Sequence, residues 1–134
     1  MSNPDLVKLQ NFATELRIGL FVPDVAAKEW LFHHEEAARK KYESMASAAR
    51  TLGKYLQQAL EVDEIQPKDL SAKVRDNQLG YLTQAGMEIV PTPQIDMGRL
   101  INMAVRRERP FEGEDKGFRD ALIVFTIADH AKKF

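Results

Sequence analysis

Hydrophobic positions near the start of the chain recur at helical spacing after a Ser-Asn-Pro-Asp segment. Ser or Asn can cap free backbone N–H groups there, and Pro at an early helical position gives up no needed hydrogen bond. The pattern predicts a first helix. The apolar run from Ile18 to Val22, which ends at Pro23, predicts a buried strand leading directly into a second helix. The helical apolar positions are Leu6, Leu9, Phe12, Ala13 and Leu16.

The segment from Asp24 to about Leu60 predicts one long helix. It contains no Pro, its one Gly is Gly53, and good helix formers dominate it. Unbroken, such a helix would extend about 55 Å, which exceeds the width of a domain of this size. We therefore expect the helix to kink or to protrude, with Gly53 as one possible break.

The pattern in the second half of the chain predicts a helix, a strand and two further helices. Proline marks predicted helix starts, Gly86 is a natural helix stop, and Thr92 is the expected cap of the helix that Pro93 begins. The predicted segments are a connector over 62–67, a helix from Pro67 to Gly86, a strand from Met87 to Val90, a helix through about Arg107, and a last helix from about Phe118 to Lys132.

Strands that alternate with helices favour an α/β fold with a parallel sheet. The chain has 134 residues, which fit a single domain over 1–134. Two strands are visible, and a stable parallel sheet usually needs more. We therefore expect the chain to be a fragment of an α/β domain, mostly helical, with strands missing from its sheet.

The amino-acid composition excludes only a few classes of function. The formal net charge is −1, so bulk charge does not indicate a polyanionic partner, and any nucleic-acid site must be local. No Cys is present, which excludes disulfides, thiolate zinc sites and Cys nucleophiles. The longest apolar run, residues 121–125, is too short to span a membrane, and the N-terminus lacks a signal pattern. A cytoplasmic location is the default expectation.

Two acidic residues near helix starts are candidates for chemistry. Asp120 is spaced to share a face with Ile123, Val124 and Ile127, so its carboxylate would lie at the N-terminal end of an apolar stripe. Glu29 lies early in the helix that follows the first strand, and ligands of α/β sheets bind beyond the carboxyl ends of strands. The alternatives are a first-turn acid at Asp120 that accepts from backbone N–H groups, and a solvated ion-paired acid at Glu29.

Two charged clusters are weaker candidates. His33, His34, Glu35 and Glu36 are consecutive, and successive helical residues point about 100° apart, so we assign them to an exposed helix face. The basic residues around the loop before the last helix would position phosphates, although a mixed-charge surface loop explains them equally well. These residues are Arg106, Arg107, Arg109, Lys116 and Arg119, interrupted by Glu108, Glu112, Glu114 and Asp115.

Two segments resemble motifs of PIN-like nuclease domains. The run from Leu20 to Glu29 is similar to the second acidic motif, in which a strand ends in Pro and a Glu follows in the next helix. Arg109-Pro110-Phe111, followed by the run from Lys116 to Ile123, resembles the third motif of the PIN-like branch that carries a long helical insertion. This second match is more specific, because Pro-Phe, a polar loop and Lys-Gly-Phe-x-Asp-Ala-Leu-Ile occur in order.

The resemblance implies a divalent-metal-dependent nuclease that acts on RNA. It makes Glu29 the second acid and Asp120 the third, both as catalytic residues and as ligands of Mg or Mn, with Lys116, Arg119 and Arg109 as RNA contacts. Carboxylate oxygens suit these hard cations, which activate water and neutralise phosphate charge. The leading alternative is a non-catalytic helical protein-interaction module.

This chain departs from the family pattern at both ends. No Asp-Thr-Asn-like motif precedes Ile18, and no further acidic strand follows the last helix, so we expect a domain truncated at both ends. With two acids left, the isolated chain should bind Mg or Mn weakly and cleave RNA poorly. The incomplete sheet also predicts a homodimer or higher oligomer. The sequence does not identify an antitoxin-like protein partner.

Overall fold

A computed structural model describes residues 4–111 and 117–133. The chain is mostly helical with a small parallel sheet, which confirms the predicted α/β class. None of the described helices combines the length and apolar character needed to cross a membrane. In chain order the elements are α1 (Pro4–Leu16), β1 (Leu20–Pro23), α2 (Asp24–Leu56), α3 (Pro67–Gln84), β2 (Met87–Val90), α4 (Met97–Val105) and α5 (Gly117–Ala131).

The two strands lie side by side in parallel. Leu20 pairs with Met87 at one end and Pro23 pairs with Val90 at the other. Within the described residues these strands form a two-stranded sheet. Their carboxyl ends are therefore adjacent, and α2 begins at Asp24 directly after β1. The two predicted strands and their parallel order are confirmed, but β1 begins at Leu20 rather than Ile18, and it is not the buried strand that we expected, since Phe21 is 43% exposed. The junction of β1 and α2 places the start of α2 where ligands of α/β sheets bind.

The chain groups into two compact units, and the first combines residues 1–29 with residues 84–134. Its apolar core is formed by Leu100 of α4, Phe111 of the following turn and Ala121 of α5. Leu100 is 2% exposed and Ala121 1% exposed, so both side chains are removed from water almost completely. Ile95, Met103, Ala104 and Phe125 pack around them.

The second unit comprises residues 30–83, and its main feature is the long part of α2. This helix continues through Gly53 and ends at Leu56, so Gly53 is not the break we expected. Gln57 adopts φ 52°, and the Gln58 N–H donates to the Gly53 carbonyl at 3.1 Å. A Cβ at Gly53 would lie 2.8 Å from the Gln58 carbonyl oxygen, so Gly53 allows the chain to fold back here.

The connector after α2 is fixed by a tyrosine. The Tyr42 hydroxyl donates to the Asp63 carbonyl at 3.0 Å and accepts from the Ile65 N–H at 3.0 Å. The Arg75 guanidinium of α3 also donates to the Glu35 carboxylate of α2, at 2.9 and 3.0 Å. These contacts hold the two helices of the second unit together across the turn.

The predicted start of the fourth helix is wrong. Thr92 is not its cap, because α4 begins at Met97, and the Asp96 carboxylate accepts from the Gly98 N–H at 2.8 Å. Among the described residues the Thr92 hydroxyl has no hydrogen-bond partner. Asp is a better cap than Thr, and it stands next to the residues that actually become helical. The helix also ends earlier than expected, at Val105.

Candidate active site

Glu29 lies on α2, just beyond the carboxyl end of β1. Its side chain is about one-third exposed, and its carboxylate accepts a hydrogen bond from the Arg119 guanidinium of α5. Asp24, in the first turn of the same helix, pairs instead with Lys28 at 2.7 Å. The acid that the resemblance singles out is therefore the one that faces α5.

Asp120 lies in the first turn of α5. Its Oδ1 is 4.0 Å from Nε of Arg119, while Nη1 of Arg119 bonds to Glu29. The guanidinium that bonds to Glu29 is thus also close to Asp120. With two carboxylates and one cation, the cluster carries a formal charge of −1, and all three side chains remain partly in contact with water.

The start of α5 is positioned by the contact between Phe111 and Gly117. A Cβ on Gly117 would lie 2.1 Å from a carbon of the Phe111 ring, so only a glycine leaves room for this ring. The Phe111 ring also meets the edge of Phe118, with centroids 5.1 Å apart. Phe111, Gly117 and Phe118 of the motif are therefore packing elements, and they set where Arg119 and Asp120 emerge.

The face of α5 differs from the predicted apolar stripe. Val124 and Ile127, expected to be buried in line with Asp120, are 54% and 55% exposed. Ala121 and Thr126 are buried instead, and the Thr126 hydroxyl donates to the Leu122 carbonyl at 2.7 Å. Asp120 is accordingly more exposed to water than we expected, because Phe111 and Leu100 pack around Ala121 rather than along the predicted stripe.

A family model described as a PIN domain matches residues 2–134. The chain belongs to the PIN domain family. PIN domains are generally nucleases, and they typically use divalent metals. No curated protein and no solved structure matches the chain.

The acidic pair of this PIN domain offers the type of oxygen ligand that a divalent cation prefers, but only two carboxylates. Glu29 and Asp120 supply hard oxygen donors, and their convergence on one guanidinium means that the site already accommodates a positive charge. Among the described residues there is no group of three or more acidic, His or Cys side chains arranged to hold a metal. A cation held by this pair would keep most of its coordination shell as water.

Two of the three basic residues predicted to contact RNA are described by the structure, and they lie in different surroundings. Arg119 lies at the acidic pair, and Arg109 is exposed in the turn that precedes Phe111. Lys116 lies outside the described residues. Arg106, which directly follows the end of α4, has a guanidinium nitrogen 3.9 Å from a Glu108 carboxylate oxygen. Basic residues are thus present near the start of α5 but are partly neutralised by acids.

The run from His33 to Glu36 does not converge on one point. Nδ1 of His34 is 2.8 Å from the Trp30 carbonyl oxygen, and Glu35 pairs with Arg75 of α3. Glu36 accepts from Arg39 at 2.8 Å, and this hydrogen bond lowers the pKa of the Glu36 carboxyl below its usual range. His34, Glu35 and Glu36 thus have separate partners, and all three are half-buried, so only His33 lies on the exposed face that we expected.

The sequence did not indicate the pairing of Arg119 with Glu29. Arg119 was a candidate for contacting phosphate, yet its guanidinium lies between the two acids. A signal was available: Arg and Asp are adjacent in the first turn of the helix that the third motif begins. An arginine next to a candidate metal ligand in the sequence indicates that the arginine can neutralise that ligand's charge.

Proposed function

We propose that this PIN domain is a divalent-metal-dependent ribonuclease that hydrolyses RNA phosphodiester bonds. The observation that carries the proposal is the meeting of Glu29 and Asp120 at one cationic group, beyond the carboxyl end of β1. Family membership supports nuclease chemistry in general. The residue roles, the RNA substrate and the choice of Mg or Mn are the parts that we propose.

Glu29 and Asp120 would hold the metal through their carboxylate oxygens. A bound Mg or Mn ion supplies an activated water and neutralises charge on the phosphate under attack. The protein side chains orient the substrate: the exposed Arg109 and the partly exposed Arg119 would contact phosphate oxygens, which need cationic donors. Because two carboxylates leave most ligand positions to water, we expect weak ion binding and slow cleavage by this chain alone.

Asp120→Asn should lower the rate of Mn-dependent RNA cleavage by at least about 100-fold, because it removes a charged ligand oxygen from a site that has few. Glu29→Gln should have a similar effect. The measurement is single-turnover cleavage of a fluorescent RNA. Asp129→Asn is the matched control, since Asp129 lies on the same helix and pairs with Lys133 at 3.2 Å. Cleavage unchanged in Asp120→Asn, or reduced equally in Asp129→Asn, would contradict the assignment.

A second candidate function is a helical interaction module, which one observation favours. In the second unit α2 exposes large apolar side chains at helical spacing, among them Met45, Leu52 and Leu56, each about half exposed. The spacing of seven and then four residues places them along one side of the helix. Such a stripe suits packing against another helix, and it would serve recognition even without catalysis.

We also propose that the chain self-associates, because apolar side chains of the first unit are exposed as well. Phe12 is 60% exposed, and Ile18 and Ile127 are each 55% exposed. Burying this surface in a homodimer would remove it from water. Light scattering at micromolar concentration should give the mass of a dimer or larger assembly. A concentration-independent monomer would reject self-association without affecting the nuclease assignment.

A further inference from the structure

We propose that Arg119 is an internal counter-ion of the acidic pair, which a divalent cation must displace before it binds. The inference rests on the metal site proposed above and concerns how that site is regulated. In the structure the Arg119 guanidinium bonds to Glu29 through Nη1 and approaches Asp120 through Nε at 4.0 Å. One guanidinium therefore lies near both of the carboxylates that would hold an ion.

The contact is suited to opening. Arg119 and Asp120 each keep about half of their side-chain surface exposed, and Glu29 about one-third. Ion pairs at such exposure are weak, because water solvates both partners and salt screens them. An incoming dication carries twice the charge of the guanidinium and binds carboxylate oxygens at shorter distance, so it can replace Arg119.

Two lysines on or next to the same helices as the acidic pair bond to other carboxylates. Lys28, one residue before Glu29, pairs with Asp24 at 2.7 Å, and Lys133 at the far end of α5 pairs with Asp129 at 3.2 Å. Arg119 donates a hydrogen bond to Glu29 and has Nε 4.0 Å from Asp120, and its planar group presents donors on two edges. Arg119 is therefore a side chain that neutralises part of the charge of Glu29 and Asp120 when no metal ion is bound.

Displacement gives Arg119 a second position. Once released, its guanidinium remains in the first turn of α5, beside Asp120, with a fork of donors that matches phosphate oxygens. The same side chain would thus lower ion affinity in the resting protein and contact an RNA phosphate after loading. Ion binding and RNA binding should then reinforce each other, because each favours the released arrangement of Arg119.

Arg119→Gln should raise the affinity for Mn²⁺ about tenfold at low salt, because it removes the competing cation and its repulsion of the ion. The measurement is direct titration with Mn²⁺, in which free ion is followed by electron paramagnetic resonance in the absence of RNA. Lys133→Gln is the matched control, since it removes one positive charge from the same helix but leaves Glu29 and Asp120 untouched. We expect Lys133→Gln to bind Mn²⁺ as the unaltered chain does.

Arg119→Lys provides a second test that preserves the charge. It should bind Mn²⁺ with an affinity between those of the unaltered chain and Arg119→Gln, because an ammonium cannot contact both acids as a fork does. Equal Mn²⁺ affinity in the unaltered chain and Arg119→Gln, or no binding by either, would overturn the counter-ion role. A gain shared by Lys133→Gln would also overturn it, since the effect would then be general charge.

The binding titration separates this inference from the proposed ribonuclease. If Arg119→Gln gains Mn²⁺ affinity but no variant or unaltered chain cleaves RNA, the counter-ion role stands and the ribonuclease proposal fails. If Asp120→Asn abolishes RNA cleavage while Arg119→Gln leaves the Mn²⁺ affinity unchanged, the ribonuclease proposal stands and the counter-ion role fails. Circular dichroism of each variant verifies that the helices are retained.

Discussion

Leu100→Ala should lower the free energy of unfolding by about 2–5 kcal/mol, the usual cost of truncating a buried leucine and leaving a cavity. Leu100 is 2% exposed and lies at the centre of the cluster with Phe111 and Ala121. A loss of this size is a large part of the stability of an ordinary small domain. Urea denaturation followed by circular dichroism measures it.

Ile101 provides the control for this substitution, because it follows Leu100 on α4 and is 50% exposed. Ile101→Ala removes a side chain of the same size and changes helix propensity similarly, so it should cost less than about 1 kcal/mol. Equal losses for Leu100→Ala and Ile101→Ala would mean that the core is not centred on Leu100.

Gly117→Ala should destabilise the protein by about 1–3 kcal/mol or more, since the added methyl group overpacks the core. Its Cβ would lie 2.1 Å from a ring carbon of Phe111 and 2.9 Å from the Phe111 Cα, so ring and backbone must both move. The movement displaces the first turn of α5 and should also reduce any activity that depends on Asp120. Thermal unfolding and the RNA cleavage assay measure the two effects.

Gly80→Ala is the contrasting substitution. Gly80 lies within α3, and no atom is within 4 Å of the position its Cβ would take. Alanine there should stabilise the protein by about 0.5–1 kcal/mol, because it restricts the unfolded chain and favours the helix. If Gly117→Ala were as stabilising as Gly80→Ala, the contact between Phe111 and Gly117 would have no role in packing.

The fold was largely predictable because local signals in the chain agree with its tertiary contacts. Pro67 begins α3, Gly86 follows its end with φ 69°, and the strand from Met87 to Val90 was predicted with its observed bounds. Where two local signals compete, the sequence was misleading. Thr92 and Pro93 form a plausible helix start, but the better cap at Asp96 is the one that the structure uses.

The candidate site was only partly predictable, because its contacts join residues far apart in the chain. Glu29 and Asp120 are candidates through motif resemblance, which needs no knowledge of distance. The ion pair of Arg119 with Glu29 spans 90 positions, and no local pattern specifies it. The exposed side of α5 was misjudged for the same reason: which face is buried depends on Leu100 and Phe111, which come from elsewhere in the chain.

The contact between Phe111 and Gly117 has a consequence for engineering. It brings together the residues on either side of positions 112–116, so we expect Asp120 to keep its position when the number of residues between Phe111 and Gly117 changes. Lengthening a closed loop costs little, about 0.6 kcal/mol for each doubling. Segments of different length and charge can therefore be exchanged between these two anchors.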